Sequence, residues 1–267
     1  MSIRFLVLFG VLFSAGAAYG ENRPAADCVV NPNQITDLSS PVAGVIESVL
    51  VSKSDAVKAG QVVASLESSV EKATVNLARI RAEIQSEINE SRVQVSYEAK
   101  RKDRFESLYK TKTISEDRKD NVDREQELAM VRLQQAKELK TIRELELARA
   151  QAQLNQKTVR APFDGYVLQQ FKRPGEYVEE QAIVRVAQLD PLNVEAILPI
   201  EQFGLIKVGQ VGTVRLNAFS DKSYPAKVTV VDPMGNAASG TFGVTLELPN
   251  KNNMIPAGLK CSVMFDD

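Results

Sequence analysis

The chain has 267 residues, of which 25% are charged and 44% hydrophobic, with 33 basic against 34 acidic side chains and no histidine. That balance excludes a disordered polyelectrolyte and a multi-span membrane protein, and the net charge of -1 leaves no global field to draw in nucleic acid or an anionic membrane. Without histidine, His-dependent triads and His-ligated metals are excluded, and two cysteines are too few for a Cys-rich zinc site, so we expect no enzyme, no cofactor and no nucleic-acid partner.

Residues 1–20 read as a signal peptide: Arg4 precedes an apolar run from Phe5 to Phe13, and small residues lead to a cleavage site after Gly20. The apolar core falls well short of the roughly 20 residues that span a bilayer. Asp27 stands before Cys28 where a lipobox requires a small residue, which argues against lipidation. The mature chain is expected in an exported, oxidising compartment.

Neither glycine nor proline occurs between Gly60 and Pro162, so this stretch is predicted to be helical. Apolar residues at Leu66, Val70, Ala73, Leu77, Ile80 and Ile84 follow the spacing of a coiled-coil seam, and Ile88, Ser91 and Val95 continue it after a four-residue stutter. The polar stretch Lys110 to Thr113 suits a reversal. Thr113 or Ser115 then caps a second helix with Glu116 and Asp117 in its first turn. That helix carries a less regular stripe, Val122, Leu128, Val131, Leu139, Ile142, Leu145 and Leu154, predicted to pair with the first. Arms of about 42 residues would reach roughly 60 to 65 Å. Mixed charges along both helices, with no large apolar surplus, predict a hairpin that associates only modestly with other copies.

The flanks of the helical block repeat each other. Pro41-Val42-Ala43-Gly44-Val45-Ile46 matches Pro162-Phe163-Asp164-Gly165-Tyr166-Val167, and the same 121-residue offset aligns Asp55 with Glu176 and Val57 with Val178. Each copy of about 25 residues is too small to bury a core alone. The halves must pack on each other, which makes the helices between them an antiparallel hairpin; a coiled-coil dimer between molecules is the alternative. After Leu189, five short alternating segments (192–198, 211–216, 226–231, 242–248 and 259–265) and a short helix at 199–206 suit a small closed barrel.

These residues resemble the periplasmic adaptor subunits of bacterial tripartite efflux and secretion systems, also called membrane fusion or HlyD-type proteins. Ser40 to Ile46 with Val57 to Val63 is similar to the first lipoyl half-motif of that family, and Val159 to Val167 to the second. The resemblance implies an α+β fold: a long antiparallel α-helical coiled-coil hairpin inserted between two halves of a lipoyl-like β domain, followed by a small antiparallel β-barrel. The expected divisions are 1–20 signal peptide, 21–40 N-terminal segment packing on the barrel, 41–66 first lipoyl-like half, 67–157 hairpin, 158–188 second half and 189–267 barrel. Longer members continue into a membrane-proximal domain, whereas this sequence stops at Asp267.

Members that dock on TolC-type outer-membrane channels carry an Arg, a Leu four residues on and a Ser seven after that; Arg104, Leu108 and Ser115 fit this spacing, and Glu125 stands where the family has an Asp. The resemblance therefore implies a non-catalytic adaptor in the periplasm, associated with an inner-membrane transporter, docked on a TolC-type channel, and assembled into a ring, of six copies in the family. A resistance-nodulation-division pump is the expected transporter, with an ABC-type exporter as the alternative. Each tip residue also has a plainer reading: a solvated Arg, a Leu closing the hairpin core, a Ser acting as N-cap. A lipoyl or biotinyl carrier is disfavoured because Ser68-Ser69-Val70 occupies the place of the modifiable lysine, and a plain coiled-coil structural protein because of the repeat and the barrel. Cys28 and Cys261 are either unrelated small core residues or a structural disulfide, which requires the N-terminal segment to run back along the barrel.

Overall fold

The structure, a computed structural model, describes residues 25–219 and 222–265. The predicted signal peptide and its cleavage site lie outside the described residues. In chain order the elements are β1 (Ala26–Leu38), β2 (Gly44–Val49), β3 (Ala56–Val57), β4 (Val62–Leu66), α1 (Ser69–Glu83), α2 (Ser86–Lys110) and α3 (Glu116–Asn155). They continue as β5 (Thr158–Arg160), β6 (Gly165–Gln170), β7 (Tyr177–Val178), β8 (Val184–Pro199), β9 (Val211–Leu216), β10 (Ser223–Val231), β11 (Thr241–Leu248) and β12 (Lys260–Phe265). The described residues form two compact units: residues 34–188, and residues 25–33 together with 189–219 and 222–265.

In the first unit the two repeats interleave. β2 pairs with β7 of the other repeat (Gly44 opposite Val178), and β3 pairs with β6 (Val57 opposite Gly165). These are the same pair with the halves exchanged. Ile46 N–H donates to the Glu176 carbonyl at 2.9 Å, and at the equivalent place Val167 N–H donates to the Asp55 carbonyl at 3.0 Å. Neither half completes its ladders alone, since a strand as short as β3 finds its partner in the other half. The shared core holds Ile46, Val63, Leu66, Val167, Val178 and Ile183.

The Val159 to Gly165 motif is a clasp on the first half. Arg160 Nη1 donates to the Gly60 carbonyl at 2.8 Å, Asp164 Oδ1 accepts the Ala59 N–H at 2.7 Å, and Ala161 exchanges backbone hydrogen bonds with Gly60 and Gln61. Gly165 leaves room for the neighbouring strand, because a Cβ there would strike the Ala187 carbonyl oxygen.

The helices run antiparallel. Cross-arm ion pairs join Glu71 to Lys157 (3.1 Å), Glu87 to Arg143 (3.0 Å), Lys102 to Asp123 (3.2 Å) and Arg101 to Glu125, so positions rise along one arm as they fall along the other. The first arm is two helices, broken at Ile84-Gln85, where the sequence showed its stutter. Beyond the break, Ile88 is partly covered and Asn89 exposed, whereas an unbroken repeat from Ala78 and Ala82 would bring Asn89 inward.

The expected seam is corrected by the structure. Leu66 belongs to β4 and its core, and Val70, Leu77, Ile80 and Ile84 are exposed, Val70 by 70% and Ile80 by 62%. The face of α1 that meets α3 instead carries Val75 and Ala78 against Leu147, Ala150 and Leu154, and Ala82 one turn on is also buried. Alanine lets two helix backbones approach closely, whereas bulky residues at those places would hold them apart. On α3, Leu128, Val131, Leu139, Ile142 and Leu145 are likewise exposed, and of the expected stripe only Val122 and Leu154 turn inward. The expectation of no large apolar surplus fails with it. Gln126, Lys140 and Arg143 are partly covered on the inward face, which masks that face in a search for apolar spacing.

In the second unit, β1, β12, β9, β10, β11 and β8 follow one another in hydrogen-bonded order, and β1 also pairs with β8, closing a barrel. Alternate residues fill it, among them Val30, Val194, Leu216, Val228, Leu246 and Val263. Only Ile200–Gln202 forms a helical turn where a helix over 199–206 was expected; Phe203 packs edge-on against Phe242 at 5.4 Å.

Candidate functional site

The end of the hairpin is shaped by backbone hydrogen bonding. Thr113 N–H donates to the Leu108 carbonyl (3.0 Å) and Lys112 N–H to the Tyr109 carbonyl (2.9 Å), the paired closure that ends helices with a left-handed residue, here Lys112 at φ 57°. Thr111 Oγ1 adds a bond to the same Leu108 carbonyl at 2.9 Å. The reversal thus hangs on the backbone of Leu108 while its side chain stays 40% exposed.

Arg104 precedes Leu108 by one helical turn, and both line a shallow concavity with Asp103 and Ser107. Arg104 and Ser115 are exposed. Ser115 occupies the N-cap position of α3 without a side-chain capping bond, so its hydroxyl does not play that expected part. Glu125 is separate from this concavity and pairs across the arms with Arg101. Arg101 also bonds the buried Glu98 at 3.3 Å and lies over the Phe105 ring.

A second polar cluster braces the tip. Lys119 donates to Asp123 Oδ2 at 3.0 Å, Lys102 approaches Oδ1 at 3.2 Å, and the Lys119 ammonium lies 5.9 Å from the Tyr109 ring centroid. The hydrogen bond from Lys119, followed by that from Lys102, holds the Asp123 carboxyl below the usual aspartate range; the bond to Asp123 raises Lys119 in turn. Sequence reasoning missed these braces. Lys119 and Asp123 stand four apart on one helix and were legible in principle, but the cross-arm partners follow only from the hairpin register.

In the barrel, Cys28 of β1 lies directly opposite Cys261 of β12, and the two form a disulfide with Cα atoms 4.8 Å apart. Among the described residues, no three Cys, Asp or Glu side chains gather to hold a metal ion, and no helix is long and apolar enough to cross a membrane.

Residues 34–188 match the sequence profile of the CzcB-like barrel-sandwich hybrid domain, and residues 192–267 that of the CusB-like beta-barrel domain. An uncharacterised protein of Haemophilus influenzae is 26% identical over 217 residues, 81% of this chain and 50% of the relative. A UPF0194 membrane protein of Acidithiobacillus ferridurans is 31% identical over 100 residues, 37% of this chain and 30% of the relative. The chain thus spans half or less of these curated relatives. In fold it is similar to the crystal structure of MacA from Actinobacillus actinomycetemcomitans (TM-score 0.72, 20% identity, 91% of this chain and 77% of that one). It is also similar in fold to the membrane fusion protein Spr0693 from Streptococcus pneumoniae R6 (TM-score 0.60, 16% identity, 91% and 99%).

Proposed function

The chain belongs to the CzcB-like barrel-sandwich hybrid family of membrane fusion proteins, and on that premise we propose that it is a periplasmic adaptor joining an inner-membrane transporter to a TolC-type outer-membrane channel. The observation that carries this reading is the tip: a large aliphatic side chain, Leu108, held outward one turn from Arg104 on a rigidly closed reversal. Leu108 fills an apolar groove between channel helices, Arg104 donates to carbonyls or a carboxylate there, and the small Ser115 permits close approach. Glu125 contributes from below the contact, by holding Arg101 and thus the two arms together.

The transporter is a resistance-nodulation-division pump on this reading, supported by the CusB-like profile that the barrel matches. Several copies in a ring, six by analogy with the family, enclose the passage. The work is structural, with selection of cargo left to the transporter.

Copurification tests it. The full chain should capture a TolC-type channel, and Leu108→Asp should lose capture by about thirtyfold or more, as expected when a buried anchor worth about 2 kcal/mol is removed. Undiminished capture and export in that variant, with helix content unchanged, overturns the docking role.

A further inference from the structure

The arms of the hairpin are bridged by opposite charges at four levels: Glu71 with Lys157, Glu87 with Arg143, Lys102 with Asp123 and Arg101 with Glu125. One level departs from this pattern. Six residues before Glu87 stands Arg81 on α1, and six after Arg143 stands Arg149 on α3, so two basic side chains come to the same height. Both line a single concavity of about 250 Å³ in the groove between the arms. Neither forms an ion pair or hydrogen bond with another described residue, although Glu146 lines the same concavity. Like charges that share a groove oppose the packing of the arms unless an anion lies between them.

The rest of the groove supplies what a small polar ligand needs. Ala78 and Ala150 are buried beneath it, and their short side chains are what leave the groove hollow. Thr74 and Gln153 bring neutral hydrogen-bonding groups. The Thr74 hydroxyl donates to the Val70 carbonyl at 2.8 Å, which leaves its oxygen able to accept, and the Gln153 amide both donates and accepts. A space of about 250 Å³ lies just below the roughly 300 to 1,000 Å³ of pockets for drug-sized molecules, so the occupant is small.

We propose that this groove binds the phosphate monoester of a sugar or polyol, with the phosphate between Arg81 and Arg149 and the ligand's hydroxyls met by Thr74, Gln153 and Glu146. Each guanidinium fork matches two phosphate oxygens, and a dianion neutralises both arginines, whereas a single carboxylate would leave one positive charge over. Glu146 repels a bare phosphate but accepts from a hydroxyl, so it favours the ester over the inorganic ion. The chemistry is the same whether the phosphorylated sugar is free or carried by a lipid. The site lies within the hairpin of one chain and does not rest on the adaptor reading.

Titration calorimetry of the full chain with glucose 6-phosphate tests it. Binding should saturate, with inorganic phosphate at least about threefold weaker and glucuronate, which offers a carboxylate in place of the phosphate, at least about tenfold weaker. Arg81→Gln and Arg149→Gln should each weaken glucose 6-phosphate by about tenfold or more. Helix content by circular dichroism should not change in either variant, because neither arginine has a partner in the fold to lose. Glu146→Gln should move the two phosphates in opposite directions, tightening the inorganic ion and weakening the ester. Vesicles carrying phosphatidylinositol 4-phosphate form the second arm. Binding to these alone, lost in both arginine variants, supports the same site with a lipid as the source of the sugar phosphate. No saturable binding to either probe overturns the proposal, as does binding that survives both arginine substitutions or glucuronate binding as tight as that of glucose 6-phosphate.

Discussion

Ser54 and Gly175 occupy the same turn in the two halves of the barrel-sandwich unit, both left-handed, at φ 73° and 90°. In each turn the next residue closes it: Asp55 Oδ2 accepts the Ser52 N–H at 2.7 Å, and Glu176 Oε1 accepts the Arg173 N–H at 2.9 Å. A serine pays about 1 to 2 kcal/mol for that backbone, partly offset by the greater freedom glycine has in the unfolded chain. Ser54→Gly should therefore stabilise the protein by about 0.5 to 1 kcal/mol, and Gly175→Ser should destabilise it by a similar amount, as read from thermal melting.

Gly165 and Gly60 should respond differently to alanine. At Gly165 the added Cβ meets the backbone oxygen of Ala187, which cannot move without shifting β8, whereas at Gly60 (φ 79°) nothing lies within 4 Å. Gly165→Ala should cost about 3 kcal/mol or prevent folding, while Gly60→Ala should cost about 1 to 2 kcal/mol. Equal denaturation midpoints for the two variants would refute the close-approach argument.

The disulfide closes a loop of 233 residues between the first and last strands of the barrel. Restricting so long a loop in the unfolded chain stabilises the fold by at most about 5 kcal/mol. Reduction, or Cys28→Ala with Cys261→Ala, should lower the barrel's melting temperature. Mass spectrometry of the oxidised protein should find the two cysteines in one linked peptide pair.

Acid should spare the tip until well below neutrality. Asp123 is held below its usual value by Lys119 and Lys102, so its contribution is present above the unfolded aspartate value of about 3.9 and is lost as pH falls through the lower folded value. Lys119 is raised, so its part is present below its unfolded value and disappears only at strongly alkaline pH. Helix melting followed by circular dichroism should show no change attributable to this cluster between pH 8 and 5. Lys119→Met should lower the melting midpoint at pH 7 and have less effect at pH 2; a loss confined to pH 8 to 5 would contradict the assignment.

Much of the architecture was legible in residue order. The repeat beginning at Pro41 and Pro162 announced two halves that must share a core, because neither could bury one alone. The absence of glycine and proline between them announced helices, and halves that pack together require those helices to leave and return. The stutter after Ile84 marked the break between α1 and α2. The two cysteines remained ambiguous until β1 was placed beside β12, a contact across nearly the whole chain that no local pattern reports.

What only the tertiary structure decided is which way the helices face. α1 carries two plausible inward faces, one with Leu77 and Ile80 and the other with Val75 and Ala78, and spacing alone favours the bulkier. The tertiary structure selects the other, because the small residues allow close approach and the ion pairs from Glu71 to Lys157 and Glu87 to Arg143 bridge the arms in that arrangement. Helical periodicity by itself says that a residue belongs to a face, and the face's direction is set by the contacts that the rest of the fold makes available.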